Sequence, residues 1–150
     1  MRLVVQRVKE ASCTVDGEIT GSIGKGFMVL VGIGLDDDRD IAEKMAVKLS
    51  KLRVFEDENE KMNLSLYDVN GSVLSISQFT LYADASRGNR PSFTSAMKGE
   101  EAKALYEHFN ECLRQLGLQV ESGIFGADMA VKLWNDGPVT IILDSKEICK

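Results

Sequence analysis

Histidine is nearly absent: position 108 carries the only one in the chain. A serine–histidine–aspartate system or a histidine-rich metal centre is therefore poorly supported. His108 falls beside polar Glu111 and Gln115 on a predicted helix, so a surface position is expected for it. Cysteine is also scarce, with three residues far apart at 13, 112 and 149 and no C-x-x-C pair. That argues against a disulfide framework or a zinc knuckle. Cys112, on an apolar helix face, reads as buried filler. Basic charge is in short supply, 18 Lys and Arg against 23 Asp and Glu, a net charge of −5. A broad phosphate-gripping surface of the DNA-binding kind is thereby disfavoured. An enzyme that handles only the end of an RNA needs just a few placed cations and stays open. Long apolar runs are missing too. The longest, Phe27 to Leu35, has about half the length needed to cross a bilayer. The opening residues MRLVVQRVKE lack the apolar stretch of a secretory signal. No membrane partner and a cytosolic setting are expected. What remains is ordinary: 44% apolar and 27% charged residues without linker or repeat, as for one globular domain over 1–150.

Leu3 to Val8 and Ser12 to Val15 are predicted strands, the first rich in β-branched residues. Asp16-Gly17 signals a tight hairpin, with Ile19 to Ile23 as the return strand. Phe27 to Ile33 is apolar almost throughout, as in a central strand buried on both faces. Asp36 to Asp38 mark a helix start, where carboxylates cap free N–H groups. Ile41, Met45, Leu49 and Leu52 give that helix its apolar stripe. Arg53 to Phe55 is a candidate short strand, Glu56 to Asn63 a polar surface loop, Val73 to Tyr82 a strand and Ala83 to Thr94 an irregular loop. A second helix over Glu100 to Leu116 buries Ala102, Leu105, Phe109, Cys112, Leu113 and Leu116. Gly117 and Leu118 then supply a left-handed cap with its apolar contact. Gln119 to Ser122, Met129 to Trp134 and Val139 to Leu143 complete the strands. These elements make an α+β domain, two main helices packed on one side of a mainly antiparallel sheet.

Gly21 to Gly26 (GSIGKG) looks at first like a phosphate loop, but the G-x-x-x-x-G-K-[ST] spacing is absent. Gly32 and Gly34 do not extend to G-x-G-x-x-G. Both segments read as turns and strand packing. Asp36-Asp37-Asp38 needs no cation to explain it, because a helix start accounts for the carboxylates.

Two segments remain. Ser77-Gln78-Phe79-Thr80-Leu81 places polar side chains in an apolar predicted strand, which costs free energy unless they are bonded. Taken alone it is balanced between local hydrogen bonding and a site. Asn135-Asp136-Gly137-Pro138-Val139-Thr140 taken alone is a turn between two strands. Together and in this order, SQFTL and NDGPVT resemble the two signature motifs of the bacterial and eukaryotic D-aminoacyl-tRNA deacylases. The opening MRLVVQRV, the hairpin at VDGE, the segment GKGFMVLVGI, the length and the order of elements are similar to that family as well.

The resemblance implies a compact roll, a homodimer and active sites at the subunit interface. It implies that a cis Gly137-Pro138 pair serves the partner's site, while Ser77, Gln78, Phe79 and Thr80 line the subunit's own. Arg7, in the matching N-terminal segment, would orient the Gly-Pro loop. The implied reaction is hydrolysis of the ester of D-aminoacyl-tRNA, and of glycine mischarged on tRNA(Ala), with the terminal 2′-hydroxyl of the tRNA assisting. No cofactor and no metal are implied, and the partner is the aminoacyl-tRNA acceptor end, not DNA. An aminoacyl ester is already reactive, so such a site must place water, steady the oxyanion and select its substrate. Thr80 is expected to orient and not to attack, since a nucleophile needs a base and none is evident. L-residues are expected to be rejected by carbonyls aimed from the Gly-Pro turn. Arg87, Arg90 and Lys98 are candidates for the terminal phosphates. Two other readings stay open: an esterase for a different small acyl ester, and a non-catalytic binder of RNA ends.

Overall fold

The computed structural model describes residues 1–150. Its frame is β1 (Arg2–Val15), a single strand where the sequence suggests two. Lys9 and Glu10 are exposed but do not break it. Neither is a backbone breaker, and pairing continues past them. β1 pairs antiparallel with β3 (Gly26–Gly32) along its first half and with β2 (Glu18–Ile23) along its second. On its other edge it pairs antiparallel with β8 (Ala130–Asp144) over almost its whole length. The β1–β2 turn is the expected tight hairpin, with φ of 49° at Asp16 and 79° at Gly17.

The sheet is mainly antiparallel, as expected, but its other side carries two parallel pairs that the sequence does not suggest. β3 pairs parallel with β6 (Ser72–Ser77), and β6 parallel with β7 (Gln119–Ser122). Each parallel pair encloses a helix, because a chain that returns to a sheet in the same direction needs a long crossover. α1 (Arg39–Ser50) lies in the first crossover and α2 (Gly99–Gln115) in the second. The polar stretch 56–63 is also more ordered than expected. β4 (Phe55–Glu56) and β5 (Met62–Leu64) form a small hairpin. The Asp57 carboxylate holds its turn, accepting the N–H groups of Asn59 and Lys61 at 2.9 and 3.0 Å. A short α3 (Ser145–Ile148) closes the fold.

Both helix ends follow the sequence chemistry. Asp38 caps α1 by accepting the Ile41 N–H at 2.9 Å. After α2, Gly117 takes φ 90° and the Leu118 N–H returns to the Leu113 carbonyl at 3.2 Å. Met45 and Leu49 of α1 and Leu105, Phe109 and Leu113 of α2 pack against Leu3, Val5, Phe27 and Val29 in the main core. Cys112 and Leu116 are only partly buried, contrary to expectation, whereas Tyr106 and Asn110 are buried on the same helix. A smaller core, with Val8, Cys13, Met28 and Ile76, fills the opposite face.

One glycine is required by close approach. Gly26 has φ 156°, and a Cβ there would lie 1.9 Å from the Ser72 carbonyl oxygen across the parallel pair. Gly26→Ala is expected to destabilise the protein by ~3 kcal/mol, because the sheet backbone must shift. An unchanged denaturant midpoint would refute this.

Candidate active site

The SQFTL segment leaves the sheet. β6 ends at Ser77, and residues Phe79–Tyr82 form one turn of 3-10 helix, where the sequence suggests continuous strand to Tyr82. The last ladder bond runs from the Gln78 N–H to the Val31 carbonyl at 2.8 Å. The turn is then closed by Leu81 N–H to Gln78 O at 3.3 Å and Ala83 N–H to Thr80 O at 3.0 Å. Arg2 fastens its far end. The guanidinium donates to the Leu81 carbonyl at 3.0 Å, lies 4.5 Å over the Tyr82 ring and pairs with Asp144 at 3.0 Å. Arg2 was not singled out by the sequence, because a surface arginine on a strand has no distinguishing pattern.

This geometry exposes the motif instead of burying it. Phe79 is 51% exposed and meets Phe93 edge-on at 5.1 Å. Thr80 is exposed, and the Gln78 side-chain amide donates to its hydroxyl oxygen. Neither the Phe79 nor the Thr80 N–H has an acceptor within the protein. Free N–H groups at the start of a helical turn are available to an anionic oxygen.

Ser77, Gln78 and Phe79 form one wall of a cavity of about 320 Å³. Its other walls are largely apolar, including Val31, Ile33, Ile76, Met97, Phe125, Met129 and Val131. That volume lies near the lower end of the range for small-molecule sites, about 300–1,000 Å³. Asp128, exposed at the mouth, is its one titratable lining residue. A carboxylate there suits an ammonium group. These lining residues were missed in the sequence because single apolar residues in separate elements carry no spacing signal. Other potential bases or nucleophiles are poorly placed. Burial, then the nearby Asp37 carboxylate, pushes the Tyr82 hydroxyl far up, so it stays protonated. Burial, then Glu43, likewise raises the Cys112 thiol, the wrong direction for a nucleophile.

The NDGPVT segment is not the expected turn between two strands. It lies inside the single strand β8, as a bulge. Gln6 pairs with Thr140 and Val8 with Asn135, so Arg7 alone faces the four residues from Asp136 to Val139. The chain therefore passes through the Gly-Pro pair without reversing. Gly137 has φ 121°, and the Gly137–Pro138 peptide is cis. Arg7 fills the space beneath the bulge and is 4% exposed. It donates to the Asp136 carbonyl at 3.2 Å and to the Val54 carbonyl at 2.6 Å. The Asp136 and Glu56 carboxylates lie 3.5 and 3.8 Å from its guanidinium. Arg7 is thus paired on several sides, as a buried charge requires. Ser77, Gln78 and Phe79 line the cavity, while Thr80 stands exposed next to them on the 3-10 turn, outside the lining. Gly137, Pro138 and Arg7 are gathered at the bulge, outside the cavity lining of the same chain.

The family described as D-Tyr-tRNA(Tyr) deacylase matches residues 4–144. The chain belongs to this family. It is 58% identical over 147 residues to a D-aminoacyl-tRNA deacylase of Koribacter versatilis, covering 98% of the chain and 99% of the relative. It is 60% identical over 146 residues to a D-aminoacyl-tRNA deacylase of Bacillus licheniformis, covering 97% and 99%. The solved structure of a protein named c-Myc DNA unwinding element binding protein superposes with a TM-score of 0.90 at 46% identity, covering 96% of this chain and 98% of the other. A second solved structure, of a probable eukaryotic D-amino acid tRNA deacylase, has a TM-score of 0.82 at 17% identity, covering 95% and 97%, and shares the fold. Family membership thus rests on the whole length of the sheet and both helices, not on the two motifs alone.

Proposed function

We propose that the protein hydrolyses the ester between a D-amino acid and tRNA, releasing the free amino acid and the tRNA. The observation that carries this reading is the exposed 3-10 turn, with unpaired N–H groups at Phe79 and Thr80, standing beside an apolar cavity of side-chain size. An ester carbonyl over the turn would find its oxyanion donors there. The amino-acid side chain would enter the cavity, and Asp128 would face the α-ammonium. Gln78 gives Thr80 a hydrogen bond, and an amide is no base. Thr80 accordingly positions water or the ester and does not attack.

The homodimer belongs to the same proposal. β8 pairs with β1 on one edge only, and its other edge has no strand beside it. Trp134 and Ile142 on this strand are 58% and 69% exposed. A long free edge with exposed apolar residues suits a second copy. In such a dimer, Gly137 and Pro138 would face the partner's cavity and reject L-residues there by steric and carbonyl repulsion. Glycine has no side chain to reject, so glycine mischarged on tRNA(Ala) is a substrate in this scheme. Exposed Arg87, Arg90 and Lys98 lie close to the motif in the chain and would meet terminal phosphates. A cytosolic setting suits this substrate, and no helix is long and apolar enough to cross a membrane.

Matched D- and L-tyrosyl-tRNA and glycyl-tRNA, incubated with the purified protein, test the proposal. Release from the D form is expected to be at least ~100-fold faster than from the L form, as steric exclusion requires. Glycine should be released as well. Equal D and L rates would favour a general esterase, and undiminished ester lifetimes would favour an RNA-end binder. The 46% identical protein is named for binding a DNA element, which suggests a DNA-binding reading. The net charge of −5 works against it.

A further inference from the structure

We propose that Glu43, His108 and Cys112 form a binding site for a divalent transition-metal ion, Zn²⁺ above all, that ties α1 to α2. This site does not depend on the deacylase reading, and none of the three residues lines the candidate cavity. His108 and Cys112 are four residues apart on α2, so their side chains stack on one face. Glu43 reaches the same point from α1. His108 Nε2 lies 3.0 Å from Glu43 Oε1 and 3.5 Å from Cys112 Sγ. The three donor atoms all lie within 4.8 Å of one another.

The same ring nitrogen faces two electron-rich atoms. Its single N–H, or its single lone pair, satisfies only one of them well. A cation between the three satisfies all. Ordinary Zn–N, Zn–O and Zn–S lengths at tetrahedral angles put N and O about 3.3 Å apart and N and S about 3.6 Å apart. The observed N–O and N–S separations of 3.0 and 3.5 Å are close to these, and the Glu43 oxygen and Cys112 sulfur, within 4.8 Å of each other, would close to about 3.5 Å on binding. An imidazole, a thiolate and a carboxylate together select Zn²⁺ or Co²⁺ over Mg²⁺ or Ca²⁺, which take oxygen ligands. On binding, the thiol proton passes to solvent and the fourth position is left to water. Arg39 is the nearby cation that opposes binding, and Glu111 is the nearby carboxylate that favours it. The sequence could not show this set, because Glu43 is remote from the other two in the chain and only helix packing joins them.

Cobalt titration of metal-free protein provides the test. The expected result is one Co²⁺ per chain, with the visible bands of a tetrahedral ion and a near-ultraviolet thiolate-to-cobalt band, both lost on adding Zn²⁺. Cys112→Ser should remove the thiolate band, while Cys13→Ser and Cys149→Ser should keep it. Glu43 is exposed, so Glu43→Gln should fold normally; it should weaken Co²⁺ binding on the order of tenfold by removing a charged ligand. Zn²⁺ should raise the thermal midpoint of the wild type but not of His108→Ala. Absence of the thiolate band in the wild type, its survival in Cys112→Ser, or full-strength binding by Glu43→Gln would overturn the proposal.

Discussion

A tRNA ending in 2′-deoxyadenosine is expected to keep its D-amino acid at least ~10³ times longer in the presence of the protein than one with the 2′-hydroxyl, a loss in the range of general acid–base catalysis. The reason lies in what surrounds Thr80. Its side-chain partner is the Gln78 amide, which donates to the hydroxyl oxygen and has no basic end. Asp128 is the one titratable group of the cavity and stands at its mouth. Tyr82 stays protonated. In the proposed reaction the group left to assist is the hydroxyl on the neighbouring ribose carbon, which the substrate itself would supply. Thr80→Ala should correspondingly lose less than about tenfold, the effect of one neutral hydrogen bond. Single-turnover deacylation of D-tyrosyl-tRNA measures both. A deoxy substrate cleaved at the normal rate, or an acyl group trapped on Thr80, would reverse the roles.

Arg7→Ala is the second large effect. The guanidinium bridges the carbonyls of Val54, just before β4, and Asp136 in β8, from a position that is 4% exposed. Its removal leaves those carbonyls and two carboxylates without their cation, and a loss of ~3–4 kcal/mol is expected. The bulge from Asp136 to Val139 would lose its floor. The preference for D- over L-tyrosyl-tRNA should fall about 100-fold if that bulge excludes the L side chain, since a displacement of an ångström suffices. Arg7→Lys should not rescue selectivity, because one ammonium does not reproduce a fork that serves both carbonyls. Denaturation gives the first quantity, and the ratio of D to L rates gives the second. An intact ratio in a weakened protein would confine Arg7 to structural support.

Local chemistry was the part of the fold most open to reading. The Asp16-Gly17 hairpin, the Asp38 cap and the Gly117 helix end each depend on side chains a few residues apart, and each is found as expected. What escaped depends on neighbours distant in the chain. Gly137-Pro138 has the composition of a turn, yet pairing with β1 on both sides carries it through as a bulge. The polar residues of SQFTL suggest a burdened strand, yet the Val31 carbonyl takes the last ladder bond and Arg2 holds the Leu81 carbonyl of the turn that follows. The parallel pairs follow from crossovers whose packing no local pattern reveals. The cavity is a meeting of apolar residues from several elements, each ordinary by itself.

The pairing of β1 with β8 also sets an order of events during synthesis. Arg2 pairs with Asp144 and Thr14 with Ala130, so β1 waits for a strand that follows both main helices and every other strand in the chain. Until residues 130–144 leave the ribosome, one edge of β1 has no partner and Arg7 has no bulge to support. Pairings across such sequence separation form slowly and leave strand edges open to association with other chains. The nascent chain is therefore most vulnerable to aggregation while its N-terminal hairpin is already formed and β8 is still missing.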